Sequence, residues 1–119
     1  MRLTIPISPS VNHLYRPTRN GGRCLTDEAR AYRDYVGLLT RHAAIQANWD
    51  VLNTDRYGFE IGVWWPDHRR RDIDNLMKLT IDSICPALGF DDSRIVRILL
   101  EARGVDRDNP RCDVRVEVL

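Results

Sequence analysis

The spacing of hydrophobic residues changes along this chain of 119 residues, and that change sets the fold class. Alternation with a period of two, typical of half-buried strands, occurs at residues 3–7, 59–65 and 114–118. Between the first two of these runs, and again after the second, apolar residues recur at three- and four-residue steps, which predicts two amphipathic helices. The pattern predicts an α+β fold of order β-α-β-α-β-β, with a mixed sheet and two main helices, in a single domain spanning residues 1–119.

Turn and cap signals set the expected bounds of these elements. The first helix is expected over residues 27–47 with Thr26 as its N-cap, and the second from near Asp72 to Gly89. The nearly continuous apolar run at residues 95–100 predicts a central strand. Residues 8–24 contain two prolines and two glycines and are expected to form a long loop.

Composition places the chain among folded globular proteins, with 43% hydrophobic and 29% charged residues. No apolar run approaches the ~20 residues of a membrane span, and the N-terminus lacks a signal-peptide core, which predicts a cytoplasmic protein. The three cysteines lack the close pairing of zinc ligands and are predicted to be reduced, mostly packed thiols: Cys24, Cys85 and Cys112.

The net charge of +1 is small for a protein that binds nucleic acid, but the charge is unevenly distributed. Residues 11–24 contain no acidic side chain and carry four basic ones, His13, Arg16, Arg19 and Arg23. Three consecutive arginines follow later, at residues 69–71. Both stretches are candidates for phosphate contact, and the alternative for the first is a solvated, flexible loop.

Lys78 is the only lysine in the chain, which otherwise uses seventeen arginines. It follows Asp72 by six residues and Asp74 by four, directly after the arginine run. Lysine presents a compact point charge, whereas arginine presents a planar fork that suits phosphate oxygens. Paired carboxylates favour Mg²⁺, and an ammonium group can neutralise charge that develops on a phosphorane, so the cluster indicates a metal-assisted phosphodiester site.

Each residue of this cluster also has an ordinary structural interpretation. Asp72 could be a helix N-cap, and Asp74 with Lys78 could be an i,i+4 ion pair. Residues two positions apart on a helix are separated by about 200° of rotation, so Asp72 and Asp74 could not share a helical face. They can meet only if the helix begins near Asp72, so that Asp72 itself is not helical. His68 is an alternative general base.

A third carboxylate could come from Asp91 or Asp92, which follow the far end of the second helix. A helix of about 15 residues is some 22 Å long, so the doublet can approach Asp72 only if residues 87–90 turn the chain back. Otherwise the doublet is a turn or helix-exit cap.

The run from Pro66 to Lys78 resembles the RusA family of Holliday junction resolvases. Further residues that carry the resemblance are Asp82, Gly89-Phe90, Asp91-Asp92, Val96 and the opening segment from Pro9 to Arg16. It implies a small homodimeric, Mg²⁺-dependent endonuclease of bacteria or their phages, with Mn²⁺ as a second candidate cofactor, that nicks opposing strands of a four-way DNA junction.

The resemblance also implies roles for individual residues. Asp72, Asp74 and Asp92 would be catalytic metal ligands, with Asp91 the alternative to Asp92, and Lys78 would be the catalytic lysine. The predicted DNA contacts are Arg69, Arg70, Arg71, Arg16, Arg19, Arg23 and Asn75. The competing hypothesis is a non-catalytic junction-binding or regulatory module with the same fold, and a nucleotide hydrolase is disfavoured because the chain has no P-loop.

Overall fold

The computed structural model describes residues 1–51 and 55–119 and confirms the α+β class with a mixed sheet and two main helices. The strands are β1 (Arg2–Ile5), β2 (Tyr15–Pro17), β3 (Arg23–Leu25), β4 (Tyr57–Trp65), β5 (Ile95–Val105) and β6 (Arg111–Val118). The helices are α1 (Asp27–Gln46) and α2 (Met77–Leu88), and short 3₁₀ turns cover Val11–His13, Ile73–Leu76 and Asp92–Arg94. No helix in the described ranges is both long and apolar enough to cross a membrane.

The main sheet has the strand order β1-β6-β4-β5, in which β4 runs parallel to β5 and the other neighbours are antiparallel. Alternate residues of β4, among them Phe59 and Ile61, are buried together with Val36 of α1 and with Leu79 and Ile84 of α2. The two helices therefore cover one face of the sheet. The opposite face carries charged side chains, as the period-two pattern requires.

Helix α1 begins where the sequence predicts, because its cap is local. The Thr26 side chain accepts a hydrogen bond from the Ala29 amide at 3.2 Å, and Asp27 and Glu28 fill the first turn, where they complement the helix dipole. The helix ends one residue before the predicted bound.

Helix α2 ends at Gly89, which adopts the left-handed conformation at φ 88°. The Gly89 amide donates to the Pro86 carbonyl and the Phe90 amide to the Cys85 carbonyl, both at 3.2 Å, which is the Schellman arrangement. The Phe90 ring then stacks on Tyr57, with ring centroids 3.8 Å apart. This reversal turns the chain back along α2 before Asp91.

Replacing Gly89 by alanine is expected to lower the free energy of unfolding by about 1–2 kcal/mol, because an L-residue is strained in this region of φ. Gly37 is the matched control: it lies inside α1, where an added Cβ meets no atom within 4 Å, so alanine there should raise stability by about 0.5–1 kcal/mol. Urea denaturation of both variants tests the pair. Equal effects of the two substitutions would contradict the assignment of the cap.

Two sequence predictions were wrong. Residues 95–100 do not form a central strand, because β5 lies at the edge of the sheet and pairs only with β4 among the described strands. The apolar run that predicts burial on both faces instead leaves Val96 55% exposed and Leu99 52% exposed. Residues 8–24 are not a loop throughout, since β2 and β3 pair as an antiparallel hairpin closed by a turn at Thr18 and Gly22.

The cysteine prediction is confirmed for the described chain, in which all three thiols are free. Cys85 and Cys112 are buried in the core, and burial raises the pKa of each to about 12. Both therefore pack as small apolar side chains.

Candidate active site

Lys78 lies in the first turn of α2 and pairs with Asp82, with Nζ 2.9 Å from Oδ2 and 3.2 Å from Oδ1. The hydrogen bond and charge of Asp82 raise the pKa of Lys78, and Tyr15 and Asp92 act in the same direction. The ammonium group is therefore protonated at neutral pH and acts as a fixed cation. Sequence reasoning found Lys78 but assigned no role to Asp82, the carboxylate that holds it.

Asp72 and Asp74 lie at the entrance to α2, and both are exposed. Asp72 is extended (φ −88°, ψ 117°) and occupies the N-cap position of the 3₁₀ turn, but its side chain makes no capping hydrogen bond. Neither carboxylate pairs with another described residue, so the capping and ion-pair interpretations do not account for them. The predicted helix start near Asp72 is confirmed, in the form of a 3₁₀ turn that precedes α2.

The 3₁₀ turn explains why Lys78 pairs with Asp82 and not with Asp74. A 3₁₀ helix advances about 120° per residue and an α-helix about 100°. The four steps from Asp74 to Lys78 begin in the 3₁₀ turn, so the two residues lie roughly 80° apart around the axis. In an uninterrupted α-helix they would lie about 40° apart. Asp82 is one regular α-helical turn beyond Lys78 and meets it directly.

The two aspartates of the later acidic doublet differ in their contacts: Asp91 caps a turn, whereas Asp92 is available to a ligand. The Asp91 side chain accepts a hydrogen bond from the Ser93 amide at 2.8 Å and caps the 3₁₀ turn that follows. Hydrogen bonding from the Ser93 side chain and then from its amide lowers the pKa of Asp91. Asp92 is exposed and lies near enough to Lys78 to raise its pKa. These contacts favour Asp92 over Asp91 as the available ligand.

The oxygen donors that Mg²⁺ prefers are present on four aspartates, Asp72, Asp74, Asp91 and Asp92, but the described chain does not bring three of them together. Among residues 1–51 and 55–119, no three His, Cys, Asp or Glu side chains are close enough to hold a metal ion. Asp72 lines a cleft at the entrance of α2, whereas Asp91 and Asp92 line another beside Asp82 and Cys85. Ligation by these residues therefore stays a prediction.

The cleft beside Asp72 has a volume of about 600 Å³ and is lined by aromatic, amide and cationic groups, among them Trp65, Arg70 and Asn75. Arg71 is held by its own chain, since it pairs with Asp67 at 2.7 Å and lies over the Trp65 ring at 4.9 Å. Arg70 has no partner among the described residues. Of the three arginines, Arg70 is therefore the most available to a phosphate.

Arg69 is also available, because its side chain is 84% exposed and its nearest contact with Asp67 is 3.9 Å. The Asp67 carboxylate instead accepts a hydrogen bond from the Arg69 backbone amide at 2.9 Å. This hydrogen bond is the main cause of the lowered pKa of Asp67. Asp67 thus shapes the arginine run, a role that sequence reasoning missed.

The β2–β3 hairpin presents the second basic group. The Arg23 guanidinium lies over the Tyr15 ring at 4.7 Å, and Arg16 donates from Nε to the Cys24 sulfur at 3.3 Å. Arg19 is exposed at the tip. Because Tyr15 is near enough to influence the pKa of Lys78, the hairpin places these cations on the same side of the molecule as the lysine.

Comparison with known proteins agrees with this arrangement of residues. The family model described as "Endodeoxyribonuclease RusA" matches residues 5–117. The chain is 36% identical over 96 residues to the crossover junction endodeoxyribonuclease RusA of Escherichia coli strain K12, covering 79% of this chain and 75% of that protein. The proteins of the same name from Shigella sonnei and Enterobacteria phage 82 are 36% and 35% identical, with the same coverage.

Proposed function

The chain belongs to the RusA family of endodeoxyribonucleases, and on that premise we propose that it is a metal-dependent endonuclease that resolves four-way (Holliday) DNA junctions by symmetric nicking. Residues 1–119 would act as one RusA-like unit. The names of its relatives identify them as crossover junction endodeoxyribonucleases, and branched DNA is the corresponding substrate for this chain.

One structural observation carries this proposal. Asp72 and Asp74 are exposed carboxylates without a structural partner in the described chain, and they lie within two helical turns of the only lysine. Exposed carboxylates at the start of a helix normally cap it or pair with a cation. Available carboxylates can hold a divalent ion, and a fixed ammonium group beside them can neutralise charge that develops on the phosphoryl group.

We assign metal binding to Asp72, Asp74 and Asp92, with Mg²⁺ or Mn²⁺ as the ion. A bound divalent ion supplies Lewis-acid activation of the scissile phosphate and of the attacking water. Lys78 would neutralise negative charge that develops on the phosphoryl group, and Asp82 would hold the ammonium in position. Arg69, Arg70 and the hairpin arginines would hold flanking phosphates, which position the DNA without reading its sequence.

A nicking assay on synthetic four-way junctions tests the proposal. Wild-type protein should cut two opposing strands in the presence of Mg²⁺ or Mn²⁺, should be inactive in EDTA, and should leave linear duplex of the same sequence intact. Binding to the junction in EDTA without any cleavage after metal is added would instead show the non-catalytic binding module. Protein that neither binds nor cuts junctions would refute both.

Replacing Arg70 by alanine is expected to weaken junction binding and to lower the slope of log K against log salt by about 1, as for the loss of one phosphate contact. Arg41, an exposed arginine of α1, is the matched control, and its alanine variant should leave the slope unchanged. Fluorescence anisotropy between 50 and 200 mM salt, a range of about fourfold, measures both. Equal slopes for Arg70→Ala and wild type would remove Arg70 from the interface.

Symmetric cutting also implies a homodimer, because two active sites related by a two-fold axis match the two strands that must be cut. A single subunit offers only one Lys78 and one pair of entrance carboxylates. We therefore propose that the active form contains two copies of this chain.

A further inference from the structure

The cleft beside Asp72 has walls that the proposed chemistry does not use. Besides Asp72 and the arginines, its lining consists of three apolar and three polar side chains: Ile7, Trp65, Leu76, Ser8, Ser10 and Asn75. Its volume of about 600 Å³ lies within the range of about 300–1,000 Å³ that is typical of small-molecule sites. Apolar walls with a few polar groups are the usual composition of such sites, so the cleft indicates a small ligand.

Residues 7–10 form one wall of the cleft, and hydrogen bonds fix this segment on both sides. Before it, the Pro6 carbonyl accepts a hydrogen bond from the Tyr32 hydroxyl of α1 at 2.8 Å. After it, the His13 carbonyl accepts a hydrogen bond from the Thr26 hydroxyl at 2.8 Å. The wall is therefore held in place by α1 and its N-cap, and a ligand that enters the cleft does not have to order it first.

The cleft also contains polar groups that the described chain leaves unused. Asn75 is half-buried, and neither its side-chain amide nor the ring N–H of Trp65 has a hydrogen-bond partner among the described residues. Ser10 Oγ accepts a hydrogen bond from the Asn12 amide at 3.3 Å and still has its own hydrogen to donate. A side-chain amide offers a donor next to an acceptor, which matches the pairing edge of a nucleobase.

The Trp65 indole gives the cleft a flat aromatic surface that is fixed in position. The Arg71 guanidinium lies over its ring at 4.9 Å, and Asp67 holds that guanidinium through an ion pair of 2.7 Å. Aromatic rings and guanidinium planes are the surfaces on which proteins stack unpaired bases. A flat apolar wall beside unused donors and acceptors therefore favours a nucleobase over an aliphatic ligand.

We propose that this cleft takes one unstacked nucleobase of the junction, from a nucleotide next to the scissile phosphate. The inference rests on the proposed function, since a scissile phosphate held at Asp72 places its neighbouring nucleotide at the mouth of the cleft. Arg70 lines the same cleft without a partner among the described residues and would hold the phosphate of the extruded nucleotide. Where strands exchange between the arms of a junction the base stack is interrupted, so extruding a base there costs less than in a duplex.

A cycle that combines changes in the cleft with removal of the base tests this proposal. Junctions are synthesised with an abasic analogue in place of the nucleotide on the 5′ side or on the 3′ side of the cut phosphate. Wild-type protein should lose at least about tenfold in kcat/KM on one of these two junctions, because the stacking and hydrogen bonds in the cleft are lost. An abasic analogue in the middle of a junction arm should leave kcat/KM unchanged.

Ser10→Phe fills the cleft from its fixed wall and is the decisive variant. It should cut the intact junction at least about tenfold more slowly than wild type, because the base and the new ring compete for the same space. On the abasic junction that space is free, so Ser10→Phe should cut it no more slowly than wild type does. Thr4→Phe is the matched control: Thr4 is an exposed residue of β1 outside the cleft, and this variant should respond to the abasic analogue as wild type does.

Asn75→Ala removes a hydrogen-bonding group without adding bulk, and it keeps the proposal testable if Ser10→Phe does not fold. Its loss on the intact junction, about fivefold or more, should disappear on the abasic junction, where the amide has no base to contact. Gln46→Ala, which removes an exposed amide at the end of α1, should cut both junctions as wild type does. Independent, multiplicative effects of the abasic analogue and of every folded cleft variant would overturn the proposal, as would full wild-type activity on both abasic junctions.

Junction binding separates failure of this inference from failure of the proposed function. Wild-type protein that binds junctions but cuts none would refute the nuclease assignment alone, and the same cycle is then measured through dissociation constants. Wild-type protein that cuts junctions but shows no coupling between the cleft and the base would refute the base-binding cleft alone. Protein that neither binds nor cuts junctions would refute both.

Discussion

Replacing Asp74 by asparagine is expected to lower the rate of junction cleavage at least about thousandfold. The carboxylate is exposed and has no partner in the described chain, so its removal breaks no structural contact. Lewis-acid stabilisation of a phosphoryl group is worth several kcal/mol, and each 1.36 kcal/mol corresponds to about a factor of ten in rate. Asparagine keeps the size of the side chain and removes the charge that holds a divalent ion.

Junction binding should survive in this variant and become slightly tighter, because a negative charge is removed next to a phosphate backbone. Single-turnover cleavage with Mg²⁺ and anisotropy binding in EDTA measure the two quantities separately. Asp34→Asn is the matched control, since Asp34 is a carboxylate of α1 with a side chain 70% exposed, and it should cleave at the wild-type rate. An Asp74→Asn protein as active as wild type would remove Asp74 from the proposed metal site.

The parts of the fold that the sequence predicts are those fixed by neighbouring residues. Thr26 caps α1 through a bond that spans three residues, and Gly89 ends α2 through bonds that span three and five, so both ends can be located from residue types alone. The position of β5 could not be predicted in this way, because strand order depends on contacts between distant segments. A continuous apolar run looks the same in the sequence whether it forms a central strand or, like β5, an edge strand.

In the candidate site, too, some features can be predicted from the sequence and others depend on the folded structure. The single lysine, the entrance carboxylates and the later doublet are visible as residue types and spacings. Which carboxylate holds Lys78 is not visible, because the 3₁₀ turn at Ile73–Leu76 rotates Asp74 away and leaves Asp82 as the partner. The division of labour between Asp91 and Asp92 also depends on a local bond, the cap on Ser93, that the doublet alone does not reveal.

Replacing Lys78 by arginine is expected to lower the cleavage rate about 100- to 1,000-fold, although the positive charge is retained. Removal of one preorganised group that stabilises transition-state charge typically has an effect of this size. The guanidinium is planar and longer, so it cannot put a compact charge where the ammonium lies, 2.9 Å from Asp82. Lys78→Met should lose at least as much activity, and Arg41→Lys on α1 serves as the conservative exchange that leaves the rate unchanged.

Asp82→Asn separates the charge of Lys78 from its position. The carboxylate raises the pKa of Lys78, so removing it moves that pKa back toward the ordinary value of a lysine, which is still far above neutral pH. The ammonium therefore keeps its charge near pH 7, and the expected loss of cleavage rate, about tenfold, comes from lost orientation. A pH–rate profile from 6 to 9 should keep its shape in Asp82→Asn. A new decrease in rate as the pH rises toward 9 would show that Asp82 acts by maintaining the charge of Lys78 and not by orienting it.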